Sequence, residues 1–189
     1  MKMKQILTAA LAASLALLAL AGCGGKTASS GEAAAKDYAQ IIHDARDEEM
    51  NDSLMIIAPD AEGGFTALGG GAEEISADDI KAQAENFILP MLGLEAGDYE
   101  DFAASVSIMN VRSYGIAIVK PAEGKTEAVQ EALENYVTSQ QLAMQNYLAD
   151  QYEIAKAATV TTVPSGEVVL VCCEDSDTVL AAIEEALAA

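Results

Sequence analysis

Residues 168–173 read Val-Val-Leu-Val-Cys-Cys, six positions without a charged or strongly polar side chain. Successive side chains of a strand point to opposite faces, so a strand apolar on both belongs in the middle of a sheet. The rest of the chain must then supply flanking strands and helical cover. Thr159 to Val163 lie just before it, across the turn-forming tip Pro164-Ser165-Gly166, and the two runs read as a hairpin. A second hairpin is spelled by residues 101–109 and 114–120, the latter Tyr-Gly-Ile-Ala-Ile-Val-Lys, both rich in β-formers. Between the hairpins a helical pattern runs from about Thr126 to Ala157, with Val129, Leu133, Tyr136, Ala143, Tyr147 and Leu148 in one apolar stripe and a kink around residues 148–151. After them, Asp175-Ser176-Asp177 stands where a helix cap belongs, and Val179, Leu180, Ile183 and Leu187 give the last helix a buried side. The order predicts an α+β fold, an antiparallel sheet of about four strands in two hairpins with helices packed on one face, one of them long.

The first half is less regular. Tyr38, Ile41, Ile42, Ala45 and Met50 recur at helical intervals, which predicts one helix over 33–50 that ends in the turn chemistry of Asn51-Asp52-Ser53. Residues 54–58, Leu-Met-Ile-Ile-Ala, fit either a short strand or a buried segment, because periodicity cannot arbitrate at that length. The glycine-rich stretch 63–71 shows no alternation and reads as a loop. Ser76 is placed to cap a helix over 77–89 that stops near Pro90.

Ahead of all this, Met1-Lys-Met-Lys4 precedes an apolar run from Ile6 to Leu20 that is too short for a membrane span and ends in small residues, the layout of an export signal over 1–22. Leu20-Ala21-Gly22-Cys23 resembles the lipobox of bacterial lipoproteins. The resemblance implies that Cys23 is acylated and becomes the mature N-terminus, tethered to membrane lipid on the extracytoplasmic face of the cell membrane, since two acyl chains hold where one does not. Residues 23–32, rich in Gly and Ser, then form a flexible linker, and 33–189 form a single extracellular α+β domain whose most regular part is 75–189.

Removing Lys2 and Lys4 with the signal takes the side-chain charge from −20 to −22 on 167 residues. That balance argues against nucleic acid and against lying flat on anionic lipid. With Cys23 committed to lipid, Cys172 and Cys173 are the remaining cysteines. Neighbours on a strand face opposite ways, which favours buried free thiols over a strained vicinal disulfide.

Further along, Leu92-Gly-Leu94 leading into Asp98-Tyr-Glu-Asp-Phe102, then Tyr114-Gly-Ile-Ala-Ile-Val-Lys-Pro121, Asn146 to Tyr152 and Gly166 to Asp175 are similar to uncharacterised lipoprotein domain families of Gram-positive gut-type bacteria, known only as a domain of unknown function. The resemblance covers roughly residues 75–189 and implies fold and location, with no activity. Such families usually show an acid just before the strand that here begins at Tyr114-Gly115; this chain has Arg112-Ser113.

Candidate sites are few. Gly124-Lys125-Thr126 matches the tail of a phosphate-binding loop, but Val119 stands where the pattern needs glycine and Pro121 lacks an N–H, so a turn and helix start is favoured. His43, the chain's single histidine, lies off the apolar stripe and is expected at the surface, without G-x-S-x-G or H-E-x-x-H. Among the acid clusters, Glu174, Asp175 and Asp177 are the least poor metal candidates, though no run has EF-hand spacing. Arg112 and Tyr114, with the 63–71 stretch, are the candidate ligand-binding residues, because Arg112 is a rare positive charge on an acidic chain. No cofactor is expected. The expected function is a surface lipoprotein acting as a non-catalytic binding or adaptor module, with another envelope protein or an extracellular peptide as partner. The alternatives are a hydrolase built on carboxylates and a calcium-dependent envelope enzyme.

Overall fold

The computed structural model describes residues 36–189; the signal segment 1–22, Cys23 and the linker lie outside the described residues. Helices α1 (Tyr38–Ala45) and α2 (Glu48–Ser53) come first, then strands β1 (Ile56–Pro59) and β2 (Phe65–Leu68). A helical stretch follows as α3 (Ala77–Gln83), a π-helical turn (Ala84–Ile88) and α4 (Leu89–Leu92). Next come β3 (Tyr99–Val106), β4 (Gly115–Pro121), α5 (Thr126–Met144), α6 (Ala149–Ala157), β5 (Thr159–Thr162), β6 (Val168–Cys172) and α7 (Ser176–Ala188).

The fold is α+β with an antiparallel sheet, but the sheet has six strands, in the order β2-β1-β3-β4-β6-β5, where four were expected. The extra pair is a hairpin made from the segment left open at 54–58 and from part of the expected loop at 63–71; Ile56 pairs with Leu68 and Pro59 with Phe65. Its alternation is hidden because β2 is a four-residue edge strand that is nowhere fully buried, whereas Ile56 and Ile57 of β1 are buried on opposite faces.

A second correction concerns the layers. Helices cover both faces of the sheet, not one. On the first face, Ile57, Phe102, Ala104, Ala117, Val119, Leu170 and Cys172 meet Ala84, Ile88 and Leu92 of the α3–α4 stretch and Val129, Leu133 and Tyr136 of α5. On the second, Ile56, Ala103, Ile116, Ile118, Val169, Val171 and Cys173 meet Tyr38 and Ile42 of α1 and Val179, Ile183 and Leu187 of α7. The physical cause is the unbroken apolar character of β4 and β6: every residue from Gly115 to Val119 and from Val168 to Cys172 is buried. A strand with two apolar faces needs two layers of cover.

Three helices end differently from the sequence expectation. The helix predicted over 33–50 breaks at Arg46, whose backbone is extended, and restarts where the Asp47 carboxylate accepts the Met50 N–H at 2.8 Å. The helix begun at Ser76 runs past Pro90 to Gly93, because the π-helical turn at 84–88 loosens the ladder just where proline removes a donor. Gly93 then closes it in a left-handed conformation, with the Leu94 N–H reaching the Leu89 carbonyl at 3.0 Å. The long helix is interrupted at 145–148, slightly ahead of the expected kink, and the expected stripe fails at its end: Ala143 and Tyr147 are exposed, and Val137 and Met144 complete the buried side begun by Val129, Leu133 and Tyr136. Cys172 and Cys173 are free, buried, and belong to opposite faces of the sheet. No helix among the described residues is long and apolar enough to cross a membrane.

Candidate functional site

A cavity of about 220 Å³ opens at the end of the sheet where β4 begins and β6 finishes, lined by residues from the α1–α2 elbow, the β3–β4 turn, α6 and the start of α7. Arg46 enters it because α1 stops there. Tyr38, Ile42 and Arg46 are spaced four apart, so the arginine extends the buried stripe of α1, and the extended backbone after Ala45 turns its side chain onto the sheet. Only 7% of Arg46 is exposed. Its Nε donates to Asn51 Oδ1 at 2.6 Å, its Nη1 to Ser105 Oγ at 2.8 Å and to the Tyr114 hydroxyl at 2.9 Å, and its Nη2 to the Leu54 carbonyl. All four acceptors are neutral, so the hydrogen bonds are satisfied while the charge is not.

Arg112 stands at the same cavity, half-buried, with its Nη2 3.1 Å from the Met50 sulfur and its guanidinium 5.8 Å from the centre of the Tyr114 ring. These are the two arginines of the chain. Among the described residues neither has a carboxylate within ion-pair distance, whereas Lys36, Lys81, Lys120, Lys125 and Lys156 each pair with one: Glu167, Glu85, Glu100, Asp98 and Glu153. On a chain of net charge −20, both guanidiniums thus stand unpaired at one cavity. Ser113, which also lines the cavity, is 2% exposed, and its hydroxyl has no hydrogen-bond partner although its N–H donates to Gln151 Oε1 at 2.8 Å.

The rest of the lining is mixed. Met50, Ile116, Ile154 and Val179 give it apolar walls, and Asp47, Glu174 and Asp175 give it acids. Asp175, the residue before α7, is itself in a left-handed conformation, φ 55°, and its side chain does not cap the helix, contrary to expectation. Asp177 lies away from the cavity lining, and no three His, Cys, Asp or Glu side chains converge as a metal cage among the described residues. Tyr114 forms the buried floor at 2% exposure, not the rim of a cleft; burial raises its phenol, and the neighbouring Arg46 guanidinium only partly offsets this. The 63–71 stretch does not reach the cavity. Its Gly70 N–H instead bonds the Asn51 carbonyl at 2.7 Å.

Cys173 is the cavity's thiol. Burial, then the charges of Asp175, Asp47 and Glu174, pushes it up to about 11, and burial pushes Cys172 up to about 12. Because the thiolate is the reactive form, a raised value leaves less of it at pH 8. Both cysteines of the folded chain are expected to react with Ellman's reagent about a hundredfold or more slower than in urea, read on a Cys23→Ser protein; rapid labelling of either in the native state would contradict their burial.

The remaining sequence candidates take structural places. His43 is about one-third exposed beside Asp44, and Lys125 precedes α5 and pairs with Asp98 at 3.0 Å. Sequence reasoning found Arg112 and Tyr114 but missed Arg46, Asn51, Ser105 and Gln151. The signal for Arg46 was its position, a charged residue on an otherwise apolar stripe.

No curated protein and no solved structure matches the chain. Residues 73–174, which include Arg112, Ser113, Tyr114 and Glu174 but not Arg46, match the family model described as Domain of unknown function (DUF4358), and with more than half its length covered the chain belongs to that family.

Proposed function

We propose that the protein is a lipid-anchored, non-catalytic binding module of the bacterial cell envelope, with the two-arginine cavity as its recognition site. The observation that carries the reading is that both arginines, alone among the described long-chain cations, lack a carboxylate and meet at one cavity. A buried charge without a counter-ion is costly, and a ligand's anionic group is the natural complement. The anchoring rests on the export signal and Leu20-Ala21-Gly22-Cys23.

Two measurements test it. Labelled fatty acid fed to the cells is expected in the native protein and absent from Cys23→Ser. In thermal unfolding, at least one compound from a set of small carboxylates, short peptides and phosphates is expected to raise the midpoint of the native chain and not of Arg112→Gln, as mass action requires. If no compound shifts either protein, the recognition role is overturned. A competing reading, a carboxylate-based hydrolase, draws on the same cavity, where Asp47, Glu174 and Asp175 stand beside apolar walls. Cleavage products from the peptides of that set, detected by mass spectrometry, would favour it.

A further inference from the structure

We infer that the cavity takes a small zwitterion, an aliphatic α-amino acid or a dipeptide of similar size, with its carboxylate on Arg112 and its ammonium against the acids of the same wall. This rests on the binding-module reading and names its ligand class.

The donors point first to a carboxylate. Arg46 has committed four N–H groups to neutral acceptors, so it supplies charge more than free donors. Arg112 lies over the Tyr114 ring and donates to the Met50 sulfur alone among the described side chains, and the rest of its fork is open to the planar, bidentate match that carboxylates offer. Ser113 also lines the cavity, its hydroxyl buried and without a hydrogen-bond partner. The first turn of α7 contributes Thr178 and Val179, which brings the positive end of a 13-residue helix to the cavity edge.

Charge then separates a zwitterion from a simple anion. Asp47, Glu174 and Asp175 line the cavity too, so a phosphate or dicarboxylate would meet three acids locally and a chain of net charge −20 at long range. A zwitterion carries no net charge, so that field does not repel it, and each of its ends finds the opposite sign. Size and lining complete the case. A cavity of about 220 Å³ has room for a ligand of the size of leucine and is below the range of drug-sized pockets. Met50, Ile116, Ile154 and Val179 are a fitting surround for an aliphatic side chain.

The test is calorimetric titration of the full chain in detergent micelles with L-valine, L-leucine and L-methionine, then with L-leucine amide, N-acetyl-L-leucine and inorganic phosphate. At least one free amino acid is expected to bind with a Kd below about 1 mM. Removing its carboxylate or its ammonium, or changing Arg112→Gln, is expected to weaken binding at least about tenfold, which corresponds to about 1.4 kcal/mol. Glu174→Gln with Asp175→Asn is expected to weaken the free amino acid and spare N-acetyl-L-leucine. If N-acetyl-L-leucine or phosphate binds as tightly as the amino acid and Arg112→Gln abolishes it, the zwitterion inference is overturned and the binding-module reading stands. If none of the six compounds binds at about 10 mM, the inference is overturned, and the wider thermal set then decides the module reading separately. An unfolding midpoint of Arg112→Gln within a few degrees of the native chain separates lost recognition from lost folding.

Discussion

Arg46→Met is expected to destabilise the domain by about 3–4 kcal/mol, with a fall of about 10 °C in the unfolding midpoint. The side chain ties the α1–α2 elbow to β3 through Ser105, to the head of β4 through Tyr114, and to the connection before β1 through the Leu54 carbonyl. Truncation leaves the buried Asn51 Oδ1 without its donor, at about 1–3 kcal/mol, and the partly buried Leu54 carbonyl without its own, at less; the two hydroxyls can partly re-pair. Opposing this is the desolvation of a guanidinium with no counter-ion, which methionine would relieve. The bonds are expected to win because four acceptors depend on one group. Arg46→Lys is expected to recover less than half of the loss, since an ammonium cannot span acceptors arranged for a planar fork. A methionine variant as stable as the native chain in urea, with unchanged slope, would show that desolvation wins and that the arginine is kept for its charge alone.

Phe102→Ala carries the other large effect, about 3–5 kcal/mol by urea denaturation. Phe102 is fully buried on the first face, with the Tyr99 ring edge-on at 4.9 Å and 72° and the Phe65 ring 6.2 Å away. The cavity left cannot close easily, because Phe102 sits in β3 between a hairpin on one side and β4 on the other, paired to Val119. Phe102→Leu is expected to cost about 1.5 kcal/mol, and alanine at the half-exposed Phe87 under about 0.5 kcal/mol. A loss below about 1 kcal/mol for Phe102→Ala would mean that this face is loosely packed.

The second half of the fold was legible because its signals are strong and local. The hairpins at β3–β4 and β5–β6, the first turns of the α5 stripe (Val129, Leu133 and Tyr136) and the last helix all come from runs long enough to show a period. What failed was subtler. The apolar runs of β4 and β6 already demanded two covering layers, yet of the two helices that supply the second, α7 follows β6 directly while α1 is only eight residues long and lies far from the strands in sequence. Strand β2 was hidden by its length and its glycines. At the cavity, Arg112 announced itself by charge, while Arg46 was masked by lying inside an amphipathic pattern. Asn51, Ser105 and Gln151 carry no signal at all; they matter only because folding brings them to the guanidinium or to the Ser113 N–H.

The two-sided cover of the sheet also says where this domain can be cut. The residues that match the family retain α3 to α6 and β3 to β6, and so retain the helices of the first face. They exclude α1 and α7, which together shield Ile116, Ile118, Val169 and Val171 on the second. A protein trimmed to that segment would carry a bare apolar sheet face, a surface for self-association, and would have surrendered Arg46 with it. The unit of folding and of solubility is therefore wider than the unit of family resemblance, and both flanks must travel with any excised domain.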